Sequence, residues 1–339
     1  MSNFIRLSNF PSSFGCFIPK PVIKGENEII ITSNGHECGI NAYNPTTNEI
    51  TKLNKFEEEF KMDIHSQFID TKNNKLYLFN GDEEEQILIY NFNTKKIQKI
   101  SSELQRIGSY PSRTVFHEKT DQMVSVVEGY HIYTLNEDVV NTYLVDYDYG
   151  LYSFGIPLKI RNELKIIGGS DKFILTSLDA SKATDLNDCK WKTYDELRMP
   201  HIILRFNYFD AVAAGDVAII FYYGYNENET EFFNEIWCVD FWNELSFKSP
   251  QTIPFKSPQN KEKVMFYAFK LNNDNDIHLI NFITNEHYKV NLYKLIPKKL
   301  IKKYSNYYNP LVFGYCKNNS NTIPISLMKL IFNYFPYLL

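Results

Sequence analysis

Short apolar runs rich in Ile, Val, Phe and Tyr recur down most of the chain, all but the last closing at a glycine. They are Glu28–Gly35 (EIIITSNG), Leu76–Gly81 (LYLFNG), Met123–Gly129 (MVSVVEG), Leu164–Gly169 (LKIIGG), Val217–Gly224 (VAIIFYYG) and Ile277–Phe282 (IHLINF). Their starts lie 48, 47, 41, 53 and 60 residues apart. Runs this short, bounded by turn residues and without helical spacing, read as buried strands. Self-similarity at such a period marks an architecture in which each unit buries its apolar face only against the next.

Each run leads into a second extended segment, a polar turn and a third segment. In INAYNPTTNEITKL, Tyr43 precedes Ile50 by seven positions across Asn44-Pro45-Thr46-Thr47-Asn48, and Tyr90 and Ile97 repeat the offset in ILIYNFNTKKIQKI. Tyr133 and Val140 offer a third instance. An aromatic on one strand facing an aliphatic on the next, with the turn outside, is a hairpin. In HSQFIDTKNNKLYLFNG, Asn73-Asn74 is expected to make a tight hairpin turn. Each unit then supplies about four antiparallel strands, which predicts an all-β propeller of about six four-stranded blades. The final unit runs short of strands before Ile296, while Phe4–Leu7 near the start lacks a blade of its own. Pairing these two ends completes the last blade and removes two exposed edges. The predicted organisation is a propeller over 1–296 and a helical tail over 297–339.

These residues resemble the kelch repeat: a second-strand run ending in Gly-Gly, a Tyr in the third strand, an apolar or Trp anchor beyond it, and a Leu-Pro type exit. Gly168-Gly169 is the intact doublet, degraded elsewhere to Asn34-Gly35, Asn80-Gly81, Glu128-Gly129 and Tyr223-Gly224. Trp191 in WKTYDELRMP stands at the family's Trp, and Ile50 and Ile97 replace it earlier. His65-Ser66 resembles the family's first-strand signature. The resemblance implies a scaffold or adaptor that binds protein partners. Some kelch propellers are enzymes, one a copper-radical oxidase, but its Tyr/His/Cys ligand set is not recognisable here.

The tail changes character. Pro297 opens a lysine-rich segment, and Pro324 precedes ISLMKLIFNYF, where Leu327, Leu330, Ile331, Tyr334 and Phe335 follow helical i, i+3, i+4 spacing. IPISLMKLIFNYFP resembles the first helix of an F-box, which implies docking through Leu327, Leu330, Ile331 and Phe335 onto a ubiquitin-ligase adaptor. The alternative is a helix that covers apolar propeller surface.

Composition narrows the function classes. A balance of 36 basic and 40 acidic residues, net −4, gives no electrostatic argument for nucleic acid or an anionic membrane. No apolar stretch approaches the ~20 residues of a membrane span, and the first residues lack a secretory apolar run, so a cytoplasmic protein is expected. The 5 cysteines are scattered without paired spacing and predict neither disulfides nor a zinc knuckle. Asparagine makes up 35 of 339 residues, a skew that an AT-rich coding sequence would produce. No catalytic residue, cofactor or metal ligand set emerges. His36 and Cys38 have no second pair, and Asp82–Glu85 lacks the glycine and terminal Glu of a calcium loop.

A propeller without chemistry still offers a broad loop face. Candidate partner-binding residues are His36, Glu37, Asp82, Glu83, Glu84, Tyr130, His131, Asn226 and Glu227. Several are acidic, which predicts a basic or amide-rich peptide or protein as partner. The alternative class is a propeller enzyme acting on a carbohydrate or small molecule.

Overall fold

Strands occupy all six positions of the recurring apolar runs in the computed structural model. It describes residues 3–9, 20–33, 39–57, 64–80, 86–101, 113–117, 122–126, 130–136, 139–144, 156–160, 163–167, 175–178, 191–193, 208–214, 217–225, 232–241, 245–255, 266–271 and 275–296, with Thr120 and Leu186. The tail helix and its docking residues Leu327, Leu330, Ile331 and Phe335 lie outside the described residues.

Among the described residues the strands form six four-stranded antiparallel sheets. After β1 (Ile5–Arg6), sheet 1 holds β2 (Val22–Lys24), β3 (Glu28–Ser33), β4 (Gly39–Asn44) and β5 (Glu49–Lys55). Sheet 2 holds β6 (Ile64–Asp70), β7 (Lys75–Asn80), β8 (Gln86–Asn91) and β9 (Lys96–Ser101). Sheet 3 holds β10 (Arg113–His117), β11 (Gln122–Val126), β12 (Tyr130–Asn136) and β13 (Val139–Leu144). Sheet 4 holds β14 (Ile156–Ile160), β15 (Glu163–Ile167), β16 (Leu175–Leu178) and β17 (Trp191–Thr193). Sheet 5 holds β18 (Tyr208–Ala214), β19 (Val217–Tyr225), β20 (Phe232–Asp240) and β21 (Leu245–Lys248). Sheet 6 runs β22 (Phe266–Lys270), β23 (Asp276–Asn281) and β24 (Glu286–Asn291), and its fourth strand is β1. One helical turn, α1 (Leu292–Leu295), follows.

The expected pairing of the two ends is therefore present, with Ile5 opposite Lys289 and Arg6 opposite Tyr288. Leu7 N extends it by donating to His287 O at 2.9 Å. Successive first strands lie side by side, β2 on β6, β6 on β10, β10 on β14, β14 on β18 and β18 on β22. The cores lie between sheets. Ile30, Ile40 and Ala42 of sheet 1 meet Leu76, Leu88 and Tyr90 of sheet 2, and Ile29, Ile31 and Tyr43 meet Tyr267, Phe269 and Ile280 of sheet 6. Sheets 4 and 5, and sheets 5 and 6, share two further clusters. Each fully buried aliphatic or aromatic side chain contributes roughly 1.5–3 kcal/mol, so these interfaces make neighbouring sheets depend on one another.

Turn chemistry explains much of the register. Asn44, Asp70, Asn91 and Asn281 end their strands, and each side-chain Oδ1 accepts from the backbone N–H groups two and three positions on. Four positions on stand Asn48, Asn74, Lys95 and Asn285, all with φ between 54° and 59°. The left-handed region suits Asn far better than Lys. Each turn has four residues, closed by the pairs Asn44 and Glu49, Asp70 and Lys75, Asn91 and Lys96, and Asn281 and Glu286. Asn73-Asn74 is thus the second half of a four-residue loop and not a two-residue turn, because the Asp70 carboxylate caps Lys72 and Asn73.

Tyr43 faces Ile50 and Tyr90 faces Ile97, as the seven-residue offset predicts. The third instance is corrected: Tyr133 faces Thr142, and Val140 faces Leu135. There only residues 137–138 separate the closing pair Asn136 and Val139, so the shorter turn moves the register.

Candidate functional site

Two polar clusters link sheets that are distant in sequence. The first lies at the first strands. Asp210 on β18 has no exposed side-chain surface; its Oδ1 receives Lys20 Nζ at 2.8 Å and its own neighbour Ala211 N at 2.8 Å. Its Oδ2 receives Ala268 N of β22 at 2.7 Å. Lys20 Nζ also donates to Ala211 O at 3.1 Å, and Lys20 O accepts from Gln67 Nε2 of β6 at 3.1 Å. Gln67 Oε1 in turn accepts from Thr32 Oγ1 of β3. A buried carboxylate needs a cation and several donors to offset its lost hydration, and Asp210 has them. Lys20, which precedes β2, thereby joins sheet 1 to sheet 5 across the first strand of sheet 6. Asp210 carries a sequence signal in retrospect, as a charge inside the buried-strand pattern YFDAVAA.

The second cluster lies where sheet 6 meets sheet 1. Tyr43 Oη is 2.8 Å from His287 Nδ1 and 3.0 Å from Asn48 Oδ1, and His287 Nε2 is 3.0 Å from His278 Nδ1. His287 is fully buried, and burial, with His278 and Lys289 nearby, lowers its pKa to about 3. The same burial raises the Tyr43 phenol above its ordinary value. At neutral pH Tyr43 and His287 are therefore uncharged.

Other reactive side chains are held inert. Burial pushes the Cys238 thiol up to about 12, and its Sγ lies 3.6 Å from Leu295 O, so it stays protonated at neutral pH. Tyr77 is pushed up to about 12 by burial and by Asp70, with its ring stacked on Phe68. Among the described residues no group of three or more His, Cys, Asp or Glu is placed to hold a metal ion, and no helix is long and apolar enough to cross a membrane.

Of the loop-face candidates, Tyr130 and His131 are the first two residues of β12, opposite Val126 and Ser125, because residues 127–129 suffice to connect β11 to β12. They are strand residues and not loop residues. His36, Glu37, Asp82, Glu83, Glu84, Asn226 and Glu227 lie outside the described residues, as does Gly168-Gly169.

The architecture has a counterpart among solved structures. "Structure of YjhT" is similar at a TM-score of 0.55 over 81% of this chain and 92% of that chain, with 12% identity. The fold is β-propeller-like. No family model matches the sequence, and no curated protein matches it. At this identity the likeness concerns the fold alone.

Proposed function

We propose that the chain is a non-enzymatic protein-interaction module, a six-bladed kelch-type propeller that presents an acidic loop face to a basic or amide-rich peptide. The reading rests chiefly on the contrast between frame and connections. Inter-sheet polar groups such as Lys20, Asp210 and His287 are engaged in holding neighbouring sheets. The segments between second and third strands, 34–38, 81–85, 127–129, 168–174, 226–231 and 282–285, differ in length and sequence, and the first, second and fifth carry His36, Glu37, Asp82, Glu83, Glu84, Asn226 and Glu227. A rigid scaffold with variable connections is the form in which propellers bind partners. Support for the kelch reading comes from the six second strands at the repeat positions and from the Tyr43 and Ile50, Tyr90 and Ile97 pairs.

The test is binding of fluorescent peptides of net charge +4, 0 and −4 to the wild type and to the triple variant Asp82→Lys, Glu83→Lys, Glu84→Lys. The wild type is expected to prefer the basic peptide, and the variant to lose at least tenfold of that affinity. Equal binding of all three peptides, or unchanged affinity in the variant, would contradict the proposal.

A further inference from the structure

The hydrogen bonds at the seam between sheets 6 and 1 form a chain in which every donor is fixed by its neighbour. Asn48 Nδ2 donates to Asn9 O at 3.3 Å, which turns Asn48 Oδ1 toward Tyr43 Oη. An amide oxygen only accepts, so the Tyr43 hydroxyl donates to it. With its one proton committed, Tyr43 Oη accepts from His287, whose Nδ1 therefore carries the ring proton. The neutral ring then has its acceptor at Nε2, and His278 Nδ1 donates to it at 3.0 Å. The order runs one way, from His278 through His287, Tyr43 and Asn48 to Asn9. The N-terminal strand hangs on the same residues, through Leu7 N to His287 O and through Asn9 O.

We propose that this chain is a proton-gated latch on the N-terminal strand: a proton taken from solvent at His287 Nε2 faces the His278 Nδ1–H, breaks the chain and releases residues 5–9 from the edge of β24. Repulsion adds to the clash of donors. The groups around His287 are His278 on β23, Tyr43 on β4 and Lys289 on its own strand. The nearby carboxylates are already engaged, Asp276 with Lys289 at 3.0 Å and Glu286 with Arg6 at 3.8 Å. The closed form excludes the proton, with His287 held to about 3, whereas the released form takes it up near the ordinary value of 6.5. The released fraction therefore rises as pH falls below 6.5, by at most about thirtyfold between pH 7.5 and pH 5.

Hydrogen exchange on the full chain tests this, with the protection factor of the Leu7 amide compared with those of Leu78 and Leu88 in sheet 2. In the wild type, Leu7 protection is expected to fall several-fold, and at most about thirtyfold, from pH 7.5 to pH 5 while sheet 2 holds. His287→Asn keeps a donor toward Tyr43 but cannot titrate, and its Leu7 protection is expected to be independent of pH. Tyr43→Phe, which keeps the titrating ring, is expected to start from lower protection and retain the pH dependence. Constant Leu7 protection in the wild type, or the same fall in His287→Asn, would overturn the latch.

Discussion

Lys20 Nζ lies 2.8 Å from Asp210 Oδ1 although 190 positions separate the two residues, and the contact joins sheet 1 to sheet 5. Asp210 is fully buried, so removing its partner leaves an uncompensated charge. Lys20→Met is expected to cost about 3 kcal/mol, and Asp210→Asn a similar amount, in urea unfolding. The double variant should cost much less than the sum, because no lone charge remains. Additive losses would show that the pair is not coupled.

The four capped turns make a residue-level prediction. Lys95 sits at φ 57°, where the equivalent positions hold Asn48, Asn74 and Asn285. Lys95→Asn or Lys95→Gly is expected to raise stability by about 0.5–1 kcal/mol, by relieving a conformation that costs a side chain roughly 1 kcal/mol. Asn91→Ala removes the cap on Asn93 and Thr94 and is expected to lower it by about 1 kcal/mol. Thermal unfolding of the three variants checks both directions.

Gly39 begins β4 against β5, where a Cβ would stand 2.5 Å from Asn54 O. The register slips between Ile40 and Asn41 at this approach. Gly39→Ala must push two paired backbones apart and is expected to cost about 2 kcal/mol or more, whereas Gly25→Ala, with open space but φ 67°, should cost about 1 kcal/mol. Chemical denaturation of both variants ranks them.

His287 also sets a sign for the pH dependence of stability. Its pKa falls from 6.5 in the unfolded chain to about 3 in the fold, so the unfolded state binds the extra proton. Its contribution is complete above pH 6.5 and is lost progressively as pH falls from 6.5 toward 3, by about 1.4 kcal/mol per unit at most. The difference in unfolding free energy between wild type and His287→Asn, measured from pH 7.5 to pH 4.5, should shrink on acidification.

The second strands were legible in the sequence because they read as unbroken apolar runs, and in β3, β7, β15, β19 and β23 consecutive residues are buried on both faces. The Tyr43 and Ile50 pair was legible because its turn has a fixed length, and the Tyr133 reading failed where the turn is shorter. The asparagine excess looks compositional until Asn44, Asn91 and Asn281 are seen to cap turns whose left-handed positions are mostly Asn as well. Asp210 left a local trace as a charge inside an apolar strand, but its pairing with Lys20 and that of Tyr43 with His287 left none, since only the succession of sheets brings them together. Of the loop-face and tail candidates only Tyr130 and His131 carry described geometry, as the start of β12.

The central claim is that the N-terminal strand completes the last sheet and thereby holds sheet 6 to sheet 1. Thermal unfolding of a chain lacking residues 1–9, beside the full chain at pH 7.5, tests it most directly. The deletion removes β1, the Leu7 bond to His287, the Asn9 bond to Asn48 and the packing of Phe4 on the core. A loss of about 3 kcal/mol or more, a fall in Tm of roughly 4 °C or more for a chain of this size, is the predicted result. An unchanged melting curve would contradict it.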